Sequence, residues 1–218
     1  MAEVLIAPSI LSADFAAMGE AVKNLKKWNA DWVHCDVMDG EFVPNITFGM
    51  PMVEALRRNT DMFLDVHLMI VKPERYVERF VKAGADLVTF HPEASEDAFA
   101  TIDKIKSSGA KAGIVLNPDI PCSVAKEFVD KVDVIMLMGV FPGFGGQKFI
   151  PEVMEKITEL KEMTKGSKVL VELDGGVTLD NAPEMIRRGL DVMVAGNAVF
   201  KAPDPCMAIE CLKKGRTA

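Results

Sequence analysis

No run of about 18 apolar residues occurs in the chain, so no membrane-spanning helix is expected. The opening stretch, Met1 to Ser9, lacks the basic start and long apolar core of a secretory signal. Cysteine is sparse, and Cys35, Cys122, Cys206 and Cys211 show neither CxxC nor zinc-ribbon spacing. Cys35 lies inside an apolar run as a small core residue. A reduced, cytoplasmic protein is the expectation. Positive charge is also in deficit: 25 Lys and Arg stand against 32 Asp and Glu, for a net charge of -7 and a pI near 5.1. Such a chain suits neither nucleic acid nor an anionic membrane, and any anionic ligand must be held by local features. Low-complexity segments and long linkers are absent. The 218 residues, 49% of them apolar, can bury a sizeable core and are read as one domain over 1–218.

What is present is alternation. Short apolar runs, rich in Val, Ile, Leu and Met, fall near Leu5–Pro8, Trp32–Val37, Phe63–Leu68, Leu87–Phe90, Ala112–Leu116, Val134–Met138, Val169–Leu173 and Val192–Ala195. Several lack polar alternation, as parallel strands covered by helices do. Helical patterns lie between them: Ala17–Trp28, Met52–Arg58, Glu74–Ala83, Glu96–Ser107, Ser123–Val129, Pro151–Met163, Leu179–Arg188 and Pro205–Lys213. Several open on a cap or a proline and several close before glycine, at Gly84, Gly109, Gly166 and Gly189. The phrases Gly84-Ala85-Asp86 and Gly189-Leu190-Asp191 recur as a helix-to-strand turn. Eight such units in one chain predict an α/β fold, a (β/α)8 TIM barrel. An open doubly wound sheet would want a glycine fingerprint after the first strand, and Ala7-Pro8-Ser9-Ile10 is not one. The charged tail, Lys213 to Ala218, is expected to fray.

In a barrel the chemistry belongs at the C-terminal ends of the strands. Ser9, His34, Asp36, His67, His91, Asn117, Asp174 and Asn197 stand there, and they include all three histidines of the chain. His34 and Asp36 are two apart, so the pleat puts them on one face; Asp65 and His67 repeat the spacing. A single histidine at a strand end is usually structural. Two histidines and two aspartates converging on one mouth are better explained by a divalent ion, and mixed nitrogen and oxygen donors suit Zn, Mn, Fe or Co. Asp65, one pleat deeper, is expected to hold a histidine tautomer. His91, followed by Pro92, is expected at the surface or behind a ligand rather than on the metal. Met38, Met69 and Met138 sit at or past strand ends, where they either fill the core or line a cavity. Glycine-rich turns follow the last three strands: Gly143-Phe144-Gly145-Gly146, Gly175-Gly176 and Gly196-Asn197. Their backbone N–H groups can approach an oxyanion closely, and together they suggest a phosphate site that needs no lysine.

The segments Ile6 to Phe15, His34 to Gly40, Phe42 to Asn45, Leu64 to Met69, Pro142 to Gln147, Glu172 to Val177 and Ala195 to Phe200 resemble, in order and spacing, the ribulose-phosphate 3-epimerase family. The resemblance implies that His34, Asp36, His67 and Asp174 bind the metal and that Asp36 and Asp174 are the acid/base pair. It places Ser9, His67, Gly143, Phe144, Gly145, Gly146, Gly175, Gly176, Gly196 and Asn197 around the substrate; Met38, Met69 and Met138, if they line the cavity, would lie over its reacting carbons. The implied reaction interconverts D-ribulose 5-phosphate and D-xylulose 5-phosphate, with the ketose phosphate as partner and a homo-oligomer as the expected assembly. The chain departs from the family pattern at Gly139 and Phe141, where a polar group is missing. Phe90-His91-Pro92-Glu93 is reminiscent of allulose-6-phosphate 3-epimerases, which makes a six-carbon ketose phosphate the first alternative. A metal-free orotidine-phosphate-type decarboxylase would want a lysine in the second strand, where His34-Cys35-Asp36 stands. A non-catalytic sugar-phosphate sensor would have no need of both carboxylates.

Overall fold

The computed structural model describes residues 3–216. Eight parallel strands form one sheet: β1 (Leu5–Ala7), β2 (Trp32–Met38), β3 (Phe63–Met69), β4 (Leu87–Phe90), β5 (Lys111–Leu116), β6 (Val134–Met138), β7 (Leu170–Asp174) and β8 (Val192–Val194). Each pairs with its neighbour in sequence from β2 to β8, and β8 pairs with β1. The ring closes between β1 and β2, where Ser9 bridges His34 and the His34 N–H donates to Pro8 O at 3.1 Å. The sheet is therefore the expected barrel, with helices outside: α1 (Met18–Lys27), α2 (Met50–Arg57), α3 (Val77–Ala83), α4 (Ala98–Ser107), α5 (Val153–Met163), α6 (Ala182–Arg187), α7 (Asn197–Phe200) and α8 (Pro205–Lys214).

The local reasons are ordinary ones. Asp97 and Asp204 cap α4 and α8 by accepting the backbone N–H groups of Ala100 and Met207. Gly84 ends α3 at φ +117°, a conformation that a side chain would strain. Ile157 and Leu160 are buried and Met154 packs on the core, so this face of α5 covers the barrel. The helix expected over Ser123–Val129 is instead a 3-10 turn, Cys122–Glu127, held between β5 and β6. Pro73 opens a separate 3-10 turn, Pro73–Arg75, and the helix expected from Glu74 begins only at Val77. Lys213 and Lys214 do not fray: both lie in α8, and Lys213 Nζ donates to Asn29 O and to Asp31 at 2.8 Å. Thr217 and Ala218, like Met1 and Ala2, lie outside the described residues.

One motif repeats around the bottom of the barrel. An aspartate stands just before each even-numbered strand: Asp31, Asp86, Asp133 and Asp191. Each accepts a backbone N–H from the preceding odd strand, respectively Ile6, Leu64, Ala112 and Val171, at 2.7–3.0 Å. Each also pairs with a cation: Lys213, Arg57, Lys106 and Lys161. The recurring glycine-to-aspartate phrases in the sequence are this tie. It fixes how consecutive strands stagger at the bottom, and so where their other ends stand at the mouth.

Candidate active site

The pleat of β2, β3 and β7 turns His34, Asp36, His67 and Asp174 inward at the mouth, where the first three are buried, Asp174 keeps a small exposure, and each offers one donor atom within 4.8 Å of the others. His34 Nε2 lies 3.3 Å from Asp36 Oδ1 and 3.9 Å from Asp174 Oδ2. His67 Nδ1 lies 3.4 and 3.7 Å from the same two oxygens. Neither nitrogen has a hydrogen-bond partner among the described residues, although both are fully buried. Orphaned imidazole nitrogens of this kind cost free energy unless something occupies the space between them. Separations of 3.3–3.9 Å suit donors sharing one divalent ion at bond lengths of roughly 2.0–2.2 Å. The residues fit the metal that their chemistry suggests.

The electrostatics point the same way. Burial would depress the His34 imidazolium, but the carboxylates of Asp65 and Asp36 outweigh it and hold its pKa well above the ordinary value. Burial is likewise outweighed at His67 by Asp174 and Asp36. The mouth thus demands positive charge, which protons supply when no metal is bound. The two aspartates move in opposite directions. Burial would raise Asp36, yet His34 and His67 hold it well below the usual carboxylate range. Burial, reinforced by the charge of Asp36, raises Asp174. Two carboxyls that titrate apart are suited to one acid and one base.

Behind the mouth each histidine leans on a different support. His34 Nδ1 meets Asp65 Oδ2 at 2.5 Å, the tautomer-holding contact expected of that aspartate. His67 Nε2 meets His91 Nε2 at 3.0 Å. His91 is fully buried, which excludes the surface position, and burial pushes its pKa down to about 4. Asn117 Nδ2 donates to Glu93 Oε1 at 2.8 Å, beside His91. Glu172 also lies fully buried in β7, 3.9 Å from His34 Nδ1, and burial together with Asp65 raises its pKa well above the ordinary value. Sequence reasoning assigned it no place. The signal was available: Glu172 precedes Asp174 by the same two residues that separate Asp65 from His67.

A cavity of about 580 Å³ opens over this cluster. Ser9, Asp36, Met38, Met69, Met138, Asp174 and the glycines Gly143, Gly145, Gly146, Gly175, Gly176 and Gly196 line it, with Phe144 and Asn197. His34 and His67 lie beneath that lining rather than in it. Ser9 Oγ donates to Asp36 Oδ2 at 2.5 Å, which leaves Asp36 Oδ1 for the cluster. The three methionines are almost wholly buried; Met38 and Met69 pack together, and Met138 packs with Met136 and Val115. Gly176 has φ +71°, and a Cβ there would fall 2.6 Å from the Phe149 backbone. At Gly139 a Cβ would meet Gly175 O at 2.2 Å, so here the missing polar side chain is replaced by close backbone contact between two loops. Phe141 is half exposed and outside the lining. Two further features, besides Glu172, escaped sequence reasoning. Among the described residues Lys201 is the one cationic side chain in the lining, and Asn45 Nδ2 donates to Gly143 O at 2.8 Å, tying the loop after β2 to the loop after β6.

The family model described as "Ribulose-phosphate 3 epimerase family" matches residues 5–200. The chain is 52% identical over 209 residues to a Bacillus subtilis protein named ribulose-phosphate 3-epimerase, covering 94% of this chain and 96% of that one. It is 50% identical over 218 residues to the chloroplastic ribulose-5-phosphate-3-epimerase of Arabidopsis thaliana, covering 98% and 78%. Among solved structures it resembles a 3-hexulose-6-phosphate synthase, with TM-score 0.67, 20% identity and 99% and 100% of the two chains covered. It also resembles orotidine 5'-phosphate decarboxylase from Pyrococcus horikoshii, with TM-score 0.68, 15% identity and 97% and 98% covered. At those identities the structural likeness is one of fold.

Proposed function

The chain belongs to the ribulose-phosphate 3-epimerase family, and from that premise we propose that it interconverts D-ribulose 5-phosphate and D-xylulose 5-phosphate by exchanging a proton at C3. The observation that carries the mechanism is the pair Asp36 and Asp174, grouped with two histidines at the floor of the cavity. The C3–H bond is acidified only by the neighbouring ketone, and removing its proton leaves negative charge on oxygen. A divalent ion held by His34, Asp36, His67 and Asp174 would stabilise that charge as a Lewis acid; Zn, Mn, Fe and Co all suit the donor set.

The rest falls to the side chains. The aspartate that is ionised takes the proton from one face of C3, and the protonated one returns a proton to the other face. Which of them starts depends on the direction of reaction. Ser9 orients Asp36 through its second carboxylate oxygen. Met38, Met69 and Met138 put apolar surface against the reacting carbons, where water would otherwise deliver a proton to the wrong face. The glycine turns at 143–146, 175–176 and 196–197 present backbone to the phosphate.

A five-carbon substrate is favoured over allulose 6-phosphate, because relatives from 43% to 52% identical carry the ribulose-phosphate name. The reading also implies a cytoplasmic enzyme that assembles as a homo-oligomer; cell fractionation and sedimentation velocity test those two points. The activity itself is tested by stripping metal with a chelator and assaying both ketose phosphates before and after adding back each of the four ions. Metal-restored epimerisation of ribulose 5-phosphate, with allulose 6-phosphate much slower, is expected. A preference for allulose 6-phosphate would move the substrate to six carbons, and full activity in the chelated protein would remove the metal from the reaction.

A further inference from the structure

His91 and Glu93 play no part in the mechanism above, yet His91 is fully buried behind the mouth, with the part-exposed Glu93 carboxylate beside it. His91 stands just past β4, its ring 0% exposed and sealed by Phe42, whose ring centroid lies 4.8 Å away. Its plane is 29° from that of His67, which suits an in-plane N–H···N bond between the two Nε2 atoms. A neutral imidazole carries a single N–H. If His67 is to offer Nδ1 as a lone pair toward Asp36 and Asp174, its proton must sit on Nε2. His91 Nε2 must then accept, and the His91 proton must sit on Nδ1. Glu93 Oε1 stands 3.5 Å from that atom, a charge contact rather than a formed hydrogen bond, and Asn117 Nδ2 donates to the same oxygen at 2.8 Å.

We propose that His91 is a positioning residue that fixes the tautomer and ring plane of His67, with the nearby Glu93 carboxylate favouring the His91 proton on Nδ1. The inference rests on the metal reading of the mouth. It makes the two histidine ligands unequal. His34 leans on a buried carboxylate at 2.5 Å, whereas His67 leans on a neutral ring whose anion is one residue further out. Supports of this kind are worth about 10–100-fold in metal affinity.

The test is Co(II) uptake by the chelated full-length protein, read by visible absorption, for wild type, His91→Leu and His91→Gln. We expect His91→Leu to bind about 10–100-fold more weakly. His91→Gln should recover most of that loss, because its amide oxygen can accept from His67 Nε2. Wild-type affinity in His91→Leu, or a glutamine variant no better than leucine, would overturn the proposal. Should the leucine variant fail to fold, nitrogen NMR of the zinc-loaded wild type decides. His91 protonated on Nδ1 and accepting on Nε2 supports the proposal, and a proton on His91 Nε2 refutes it. A wild-type protein that takes up no Co(II) would overturn the metal assignment and this inference with it, an outcome distinct from equal binding by wild type and variant.

Discussion

Aspartates gather at both ends of the barrel and meet opposite surroundings. At the bottom, Asp31, Asp86, Asp133 and Asp191 each take a backbone N–H and a lysine or arginine, and their side chains keep partial contact with water. At the mouth, Asp36 and Asp174 face histidines whose nitrogens have no partner, in a layer closed to solvent below. One arrangement gives every aspartate both a backbone donor and a cation and sets strand stagger. The other leaves a charge demand unmet, and that demand is what a cation and a substrate can answer. The same residue type supports folding at one end and chemistry at the other, and only its partners distinguish the two roles.

The sharpest way to break this contrast is to neutralise one aspartate at each end. Asp36→Asn and Asp174→Asn should each lower kcat by about 10²–10⁴-fold, as loss of a general acid or base does, while leaving KM and melting temperature close to wild type. Steady-state kinetics with excess metal reads this, and near-normal turnover would refute the acid/base roles. Asp191→Ala should do the reverse. It strips acceptors from the Val171 N–H and from Lys161, at a cost of about 1–3 kcal/mol in urea unfolding, with kcat of the folded fraction preserved. A loss of kcat without loss of stability would erase the distinction between the ends.

A smaller effect should separate the metal-loaded from the chelated protein. His34 and His67 have folded pKa values raised above the ordinary value of about 6.5. The stability that their imidazolium forms give the chelated protein is therefore complete below about pH 6.5 and is lost as pH rises through the folded values. Bound metal replaces those protons, so the gap in melting temperature between loaded and chelated protein should widen with rising pH. A constant gap across pH 6–9 would contradict the charge-demand account of the mouth. The smallest change should come from Lys201→Ala, which removes the cavity's one cation and should raise KM several-fold with kcat unchanged; an unaltered KM would leave phosphate binding to the backbone turns alone.

Much of this was legible in the sequence, for a physical reason. Strand cores are continuous apolar runs, so histidines and aspartates at their ends stand out, and period-two spacing assigns their faces. Hence His34, Asp36, His67 and Asp174 were found together, as was the tautomer contact at Asp65. What escaped depends on lateral neighbours. The placement of His91 behind a ligand was one of two positions expected of it, but its pairing with His67 was not; Asn45 meets Gly143 from 98 positions away, and Lys201 reaches the cavity from the end of α7. No local pattern encodes those encounters. Glu172 is the exception, since its pleat position was readable and was passed over. The missing helix between β5 and β6 shows the same limit. Ser123–Val129 carries a helical pattern, but the connection closes as a tighter turn over Cys122–Glu127.

The central claim, two aspartates acting from opposite faces of C3, is tested most directly by solvent deuterium exchange in the two asparagine variants with metal in excess. The account predicts that neither variant epimerises, that one labels C3 of D-ribulose 5-phosphate alone, and that the other labels C3 of D-xylulose 5-phosphate alone. Epimerisation surviving in either variant, or both variants labelling the same epimer, would contradict it.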